Sequence, residues 1–113
     1  MKPEHEDFLR RLVVNDESVL ESLLGTPFGG PEPKGLDAKT VALVRLAGLV
    51  AVDAASASYQ WSVTAGLAAG ATDDEVVGVL VALTPVVGTA RVASAAREVA
   101  LAIGCDLGRP DDG

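Results

Sequence analysis

The chain contains one cysteine, one histidine, one tryptophan, one tyrosine and two phenylalanines among 113 residues, and each scarcity closes off some chemistry. A lone Cys105 excludes an internal disulfide, a CxxC redox pair and a cysteine-rich zinc site. Nothing basic flanks it closely, so it reads as an ordinary reduced thiol beside a helix end. With only one histidine besides, no first shell for a transition metal can be built, and neither a metal nor a cofactor is expected. Cationic side chains are also few: nine Lys and Arg against sixteen Asp and Glu give a formal net charge of −7. Such a surface repels phosphate backbones and anionic lipid, so neither nucleic acid nor a membrane is an expected partner. The longest uncharged apolar stretch, VVGVLVALTPVVGTA, contains Pro85 and is shorter than the roughly 18 to 20 residues of a bilayer span. The opening MKPEHEDFLRR carries no apolar signal core. The expected location is the cytoplasm.

What is abundant is Ala, Val, Leu and Gly. These side chains favour helices packed at close range around one core. Residues 4 to 24 read as helical in two pieces, broken near Asn15 and Asp16, with Val19, Leu20, Leu23 and Leu24 as a one-sided stripe and Gly25 as a left-handed terminator. The segment GTPFGGPEPKG is too rich in glycine and proline for a helix. Its Gly29, Gly30 and Gly35 lack the preceding strand and the spacing of a phosphate fingerprint. Asp37 then suits the N-cap of AKTVALVRLAGLVAV. In GATDDEV, Thr72 and Glu75 form a capping box, and Asp73 and Asp74 favour the positive end of the helix dipole. That duty accounts for these carboxylates better than catalysis does. Pro85 falls in the last turn of this helix or kinks it; Gly88 ends it, and TARVASAAREVALAI runs on to Gly104. The tail DLGRPDDG is polar. Two of these helices are apolar almost all round, which a small monomer cannot cover, so the chain is expected to associate with itself.

Polar chemistry concentrates in AASASYQWS, residues 54 to 62, which holds the only Trp and the only Tyr. Ser58 and Ser62 are four apart and share a helix face. No base stands near either serine in the sequence, so a serine nucleophile is not supported. Their hydroxyls suit hydrogen bonds to a ligand or to the carbonyls of their own helix. Tyr59 and Trp61 fit either a packed interior or a pocket wall. Arg45 and Arg91 lie on apolar helices with no acidic residue three or four positions away. A charge so placed needs a partner or water. An ion pair to Asp53, Glu98 or another subunit would serve, as would the carboxylate of a small molecule. His5 sits in the charged N-terminal stretch, where solvent exposure is expected.

The succession LDAKTVALVRLAGLVA, AGATDDEVVGVLVAL and VVGTARVASAAREVALAIG resembles the carboxymuconolactone decarboxylase family, which includes the AhpD-like peroxidase proteins. The likeness covers residues 36 to 104 and rests most on AGATDDEVVGVL. It implies an all-α, AhpD-like bundle of about five to six helices that forms trimers or hexamers through apolar helices. Residues 1 to 35 would be an N-terminal helical segment with a Gly/Pro loop, and 105 to 113 a polar tail. AhpD-like members carry CxxCxxxH on the helix before the glycine that matches Gly70, and the decarboxylases carry a histidine there. Those positions hold Ala55, Ser58 and Ser62 here, and Ala42 stands where an assisting acid would fall. The groups that perform either family reaction are therefore missing, and whether the chain is an enzyme stays open. The resemblance leaves a protein that binds or transforms a small carboxylate-bearing organic molecule, with Ser58, Tyr59, Trp61, Ser62, Arg45 and Arg91 as candidate contacts. The alternative is a non-catalytic oligomeric scaffold; an alkylhydroperoxidase ranks last.

Overall fold

The computed structural model describes residues 1–26, 33 and 35–105. Much of the Gly/Pro segment, including Gly29 and Gly30, and the tail from Asp106 onward lie outside the described residues. Six α-helices and no strand occur among the described residues: α1 Pro3–Val13, α2 Glu17–Leu24, α3 Ala38–Val52, α4 Ser56–Ala68, α5 Asp73–Val87 and α6 Thr89–Ile103. The chain is thus all-α, as expected. It divides into two compact units, Met1–Pro31 and Glu32–Gly113.

The first unit is a pair of short helices. Asn15 takes a left-handed φ of 55°, which stops α1, and Asp16 then caps α2 by accepting from the Val19 N–H at 3.2 Å. Within the expected stripe Val19 is buried, whereas Leu23 and Leu24 are exposed. Gly25 ends α2 with a right-handed φ of −78°, so the left-handed freedom expected of it goes unused. Arg10 and Arg11 pair with Glu6 and Asp7 one turn back on α1.

The second unit carries the main core. Asp37 caps α3 by accepting from the Thr40 N–H at 2.8 Å. The capping box of α5 is complete: Thr72 Oγ1 accepts from the Glu75 N–H at 3.1 Å, and Glu75 Oε1 accepts from the Thr72 N–H at 3.0 Å. Pro85 is accommodated in the last turn of α5, and Gly88, with φ 88°, separates α5 from α6. The core consists of Leu46 and Val50 from α3, Tyr59 and Val63 from α4, Val76 and Leu80 from α5, Ala95 and Val99 from α6, and Ala71. Helix α4 packs against both α3 and α6, and α5 packs against α3 and α6 in turn. At one point α3 and α4 come close: a Cβ added at Gly66 would stand 3.6 Å from the Ala42 Cβ.

Candidate functional site

Helix α4 follows a turn at Asp53, whose φ of 53° places it in the left-handed region at the end of α3. Its buried residues are Tyr59, Ser62, Val63 and Gly66. This spacing of three and four marks the stripe of a helix facing the core, and one of its members is a serine. Ser58, one turn before Ser62, is half-buried, while Trp61 is 47% exposed. The polar cluster of the sequence is therefore divided. Tyr59 and Ser62 face inward, and Trp61 faces out.

Tyr59 is 1% exposed and donates its hydroxyl hydrogen to the Leu49 carbonyl oxygen at 3.1 Å. Burial raises its pKa above the ordinary tyrosine value, and the carboxylates of Asp53 and Glu98 push in the same direction. Ser62 is different. It is 3% exposed, and its Oγ has no hydrogen-bond partner within the protein. A helical serine can return its hydroxyl to the carbonyl four residues back; Ser62 does not. An orphaned buried hydroxyl costs about 1–3 kcal/mol. Among the described residues Ser62 Oγ is also the one buried side-chain N or O atom left without a hydrogen-bond partner.

The two arginines belong to α3 and α6, the helices against which α4 packs. Arg45 is half-buried in α3. Arg91, near the start of α6, is exposed and donates from Nη1 to the Ala51 carbonyl oxygen. That carbonyl lies in the last turn of α3, where orphan acceptors gather and the dipole favours a cation. Ser94, one turn on, donates from Oγ to Asp53 Oδ1 at a long 3.5 Å. Tyr59, Arg91 and the Ala54 N–H, which bonds Leu49 O at 3.1 Å, thus tie down the end of α3. Sequence reasoning reached both side chains but not these partners, because a backbone carbonyl leaves no trace in residue identity. The only hint was an arginine with no acid in reach along its own helix.

A second polar contact was missed altogether. Lys39 Nζ lies 3.0 Å from Glu75 Oε2, which joins the start of α3 to the capping box of α5. The Thr72 backbone N–H, followed by Lys39, holds the Glu75 carboxyl below its ordinary pKa. Among the described residues no group of three His, Cys, Asp or Glu side chains is placed to hold a metal ion. His5 lies near Glu4 on α1, half exposed and in the other unit. Cys105 is exposed just beyond α6. No helix among the described residues is long and apolar enough to cross a membrane.

The sequence model of the carboxymuconolactone decarboxylase family matches residues 18–102. The match opens within α2, ahead of the 36–104 segment that carries the motif resemblance, and ends in α6. Neither the curated proteins nor the solved structures gave a significant match.

Proposed function

Because the chain belongs to the carboxymuconolactone decarboxylase family, we propose that it binds or transforms a small carboxylate-bearing organic molecule, using no redox cysteine. The observation that carries this reading is the buried, unpartnered Ser62 hydroxyl. A polar atom left unsatisfied in the core calls for an explanation, and a ligand that completes its hydrogen bonding supplies one. Ser58 stands one turn away on the same face of α4. Arg45 and Arg91, the cationic contacts of this reading, belong to α3 and α6, the two helices against which α4 lies. A guanidinium has five N–H donors, and Arg91 spends one of them on Ala51; those remaining can grip a carboxylate in two-point fashion. Tyr59, on the buried face of α4, and Trp61, on its exposed side, complete the set of contacts in this reading.

Peroxidase chemistry would require a thiolate and a resolving sulfur. Ala55 and Ser58 occupy the expected cysteine positions, and Ser62 the histidine position. Decarboxylation by imidazole is likewise disfavoured, so substrate activation would fall to hydroxyl and guanidinium groups. We also propose that the chain works in the cytoplasm as a homo-oligomer, a trimer or hexamer as in its family. The exposed Val44, Val52, Val77, Val81 and Val86 support self-association. They equally support the second reading, a non-catalytic scaffold in which α4 is simply packed.

A thermal-shift screen with small organic acids, lactone acids included, separates the two. Ligand binding to the native state raises the melting temperature with the logarithm of ligand excess. One acid should stabilise the wild type and leave Ser62→Ala unmoved. Without ligand, Ser62→Ala should melt above the wild type, by about 4–8 °C for each kcal/mol of orphan cost removed. A Ser62→Ala variant that melts lower and still answers the acid would defeat the ligand reading.

A further inference from the structure

Two contacts set the register of α3 against α4. At one, a Cβ added to Gly66 would stand 3.6 Å from the Ala42 Cβ; at the other, the Tyr59 hydroxyl reaches the Leu49 carbonyl oxygen at 3.1 Å. The two helices therefore run antiparallel. Ala42, Arg45 and Leu49 are spaced three and four apart, so Arg45 shares a side of α3 with the two residues that meet α4. Tyr59, Ser62 and Gly66 repeat that spacing on α4. Arg45 and Ser62 are thus bracketed by the same pair of contacts, and lie within about 2 Å of each other along the helix axes. Arg45 falls on the flank turned from α5, since Lys39, which bonds Glu75, lies on the other side of Ala42. Ser58 and Ser62 occupy the matching flank of α4, away from Val63 and Leu67, which pack in the core. Ala51, whose carbonyl oxygen holds Arg91, is about 9 Å further along α3.

We propose that Arg45, and not Arg91, reads the charge of the ligand, and that the ligand is a short acid with a second, uncharged oxygen. Its carboxylate sits on Arg45 and the uncharged oxygen on the Ser62 hydroxyl. The inference rests on the ligand reading above and divides the contacts named there. Burial decides which end goes where. Ser62 is 3% exposed, whereas Arg45 is half-buried. Desolvating an ionised carboxylate costs far more than desolvating a carbonyl or hydroxyl oxygen. The charge therefore stays at the more open position, on a guanidinium that can hold it at two points. The uncharged oxygen enters the core and gives Ser62 Oγ the partner it lacks. Arg91 is exposed and ties down the end of α3, remote from that hydroxyl.

The test is a set of thermal-shift titrations on the full chain. The probes are short oxo and hydroxy acids, each beside its methyl ester and beside the same acid without the second oxygen. The wild type should prefer an acid over its ester by about tenfold or more. Arg45→Gln should bring that ratio close to one, and Arg45→Lys should keep part of it, with unchanged far-ultraviolet circular dichroism in both. Arg91→Gln should melt lower without ligand and keep the full ratio. Loss of the second oxygen should weaken binding to the wild type and make no difference to Ser62→Ala. A ratio that survives Arg45→Gln, or that Arg91→Gln abolishes, would overturn the assignment and leave the ligand reading standing. A wild type that answers none of the acids would end both.

Discussion

The Tyr59 hydroxyl bonds a carbonyl that already accepts from the Ala54 N–H. Removing the hydroxyl therefore leaves no orphan on α3, and Tyr59→Phe should cost only about 1 kcal/mol at neutral pH, measured by denaturant unfolding. The alkaline limb is more telling. The folded protein holds the phenol proton more tightly than the unfolded chain does. The unfolded state therefore loses its proton first as pH rises above about 10, and stability declines from there. In Tyr59→Phe that decline should be shallower. Ser62 behaves in the opposite sense, since its hydroxyl has nothing to lose. Both residues lie on the inner face of one helix, yet one is satisfied and the other is not, and residue type alone gives no way to distinguish them.

At the level of the helix, most local features follow from chemistry within four residues. The caps at Asp16, Asp37 and Thr72 and the breaks at Asn15, Gly88 and Gly104 are of this kind. The carboxyls of Asp16, Asp37 and Glu75 are each held below their ordinary pKa. For Asp16 and Asp37 the largest cause is a side-chain hydrogen bond, to Ser18 and Thr40 respectively; for Glu75 it is the Thr72 N–H. Their contribution is complete above the unfolded carboxylate pKa of about 4 and is lost as pH falls through the lower folded values. Glu75→Gln should consequently flatten the acid limb of the melting temperature against pH. Gly66 tests the close α3–α4 approach. Its missing Cβ would make ordinary contact with Ala42 at 3.6 Å and Ala71 at 3.9 Å. Gly66→Ala should therefore be neutral or stabilising by up to about 1 kcal/mol through helix propensity. Gly66→Leu should destabilise by about 1–3 kcal/mol through overpacking; equal melting temperatures for the two variants would mean that the helices can part freely.

For the molecule as a whole, the decisive quantity is uncovered apolar surface. Fifteen large hydrophobic side chains are exposed among the described residues. A solution mass at a multiple of 11.5 kDa is the expected outcome of light scattering. The net charge of −7 opposes association at low ionic strength. Raising the salt should therefore tighten assembly, whereas an interface held by ion pairs would loosen.

Residue order alone was enough for an all-helical chain, the limits of α3, α5 and α6 and its family, because capping and apolar periodicity act over short stretches that read the same in any fold. Gly25 is the exception, a terminator whose left-handed option was not needed. Orientation was another matter. Small side chains surround α4, so its periodicity did not reveal that Tyr59 and Ser62 turn inward while Trp61 turns out. The links Lys39–Glu75, Tyr59–Leu49 and Arg91–Ala51 join different helices, and two of them end on a carbonyl that every residue possesses. Such contacts come into being only when helices meet in space, since the energy that selects them belongs to the packed assembly and to no single segment.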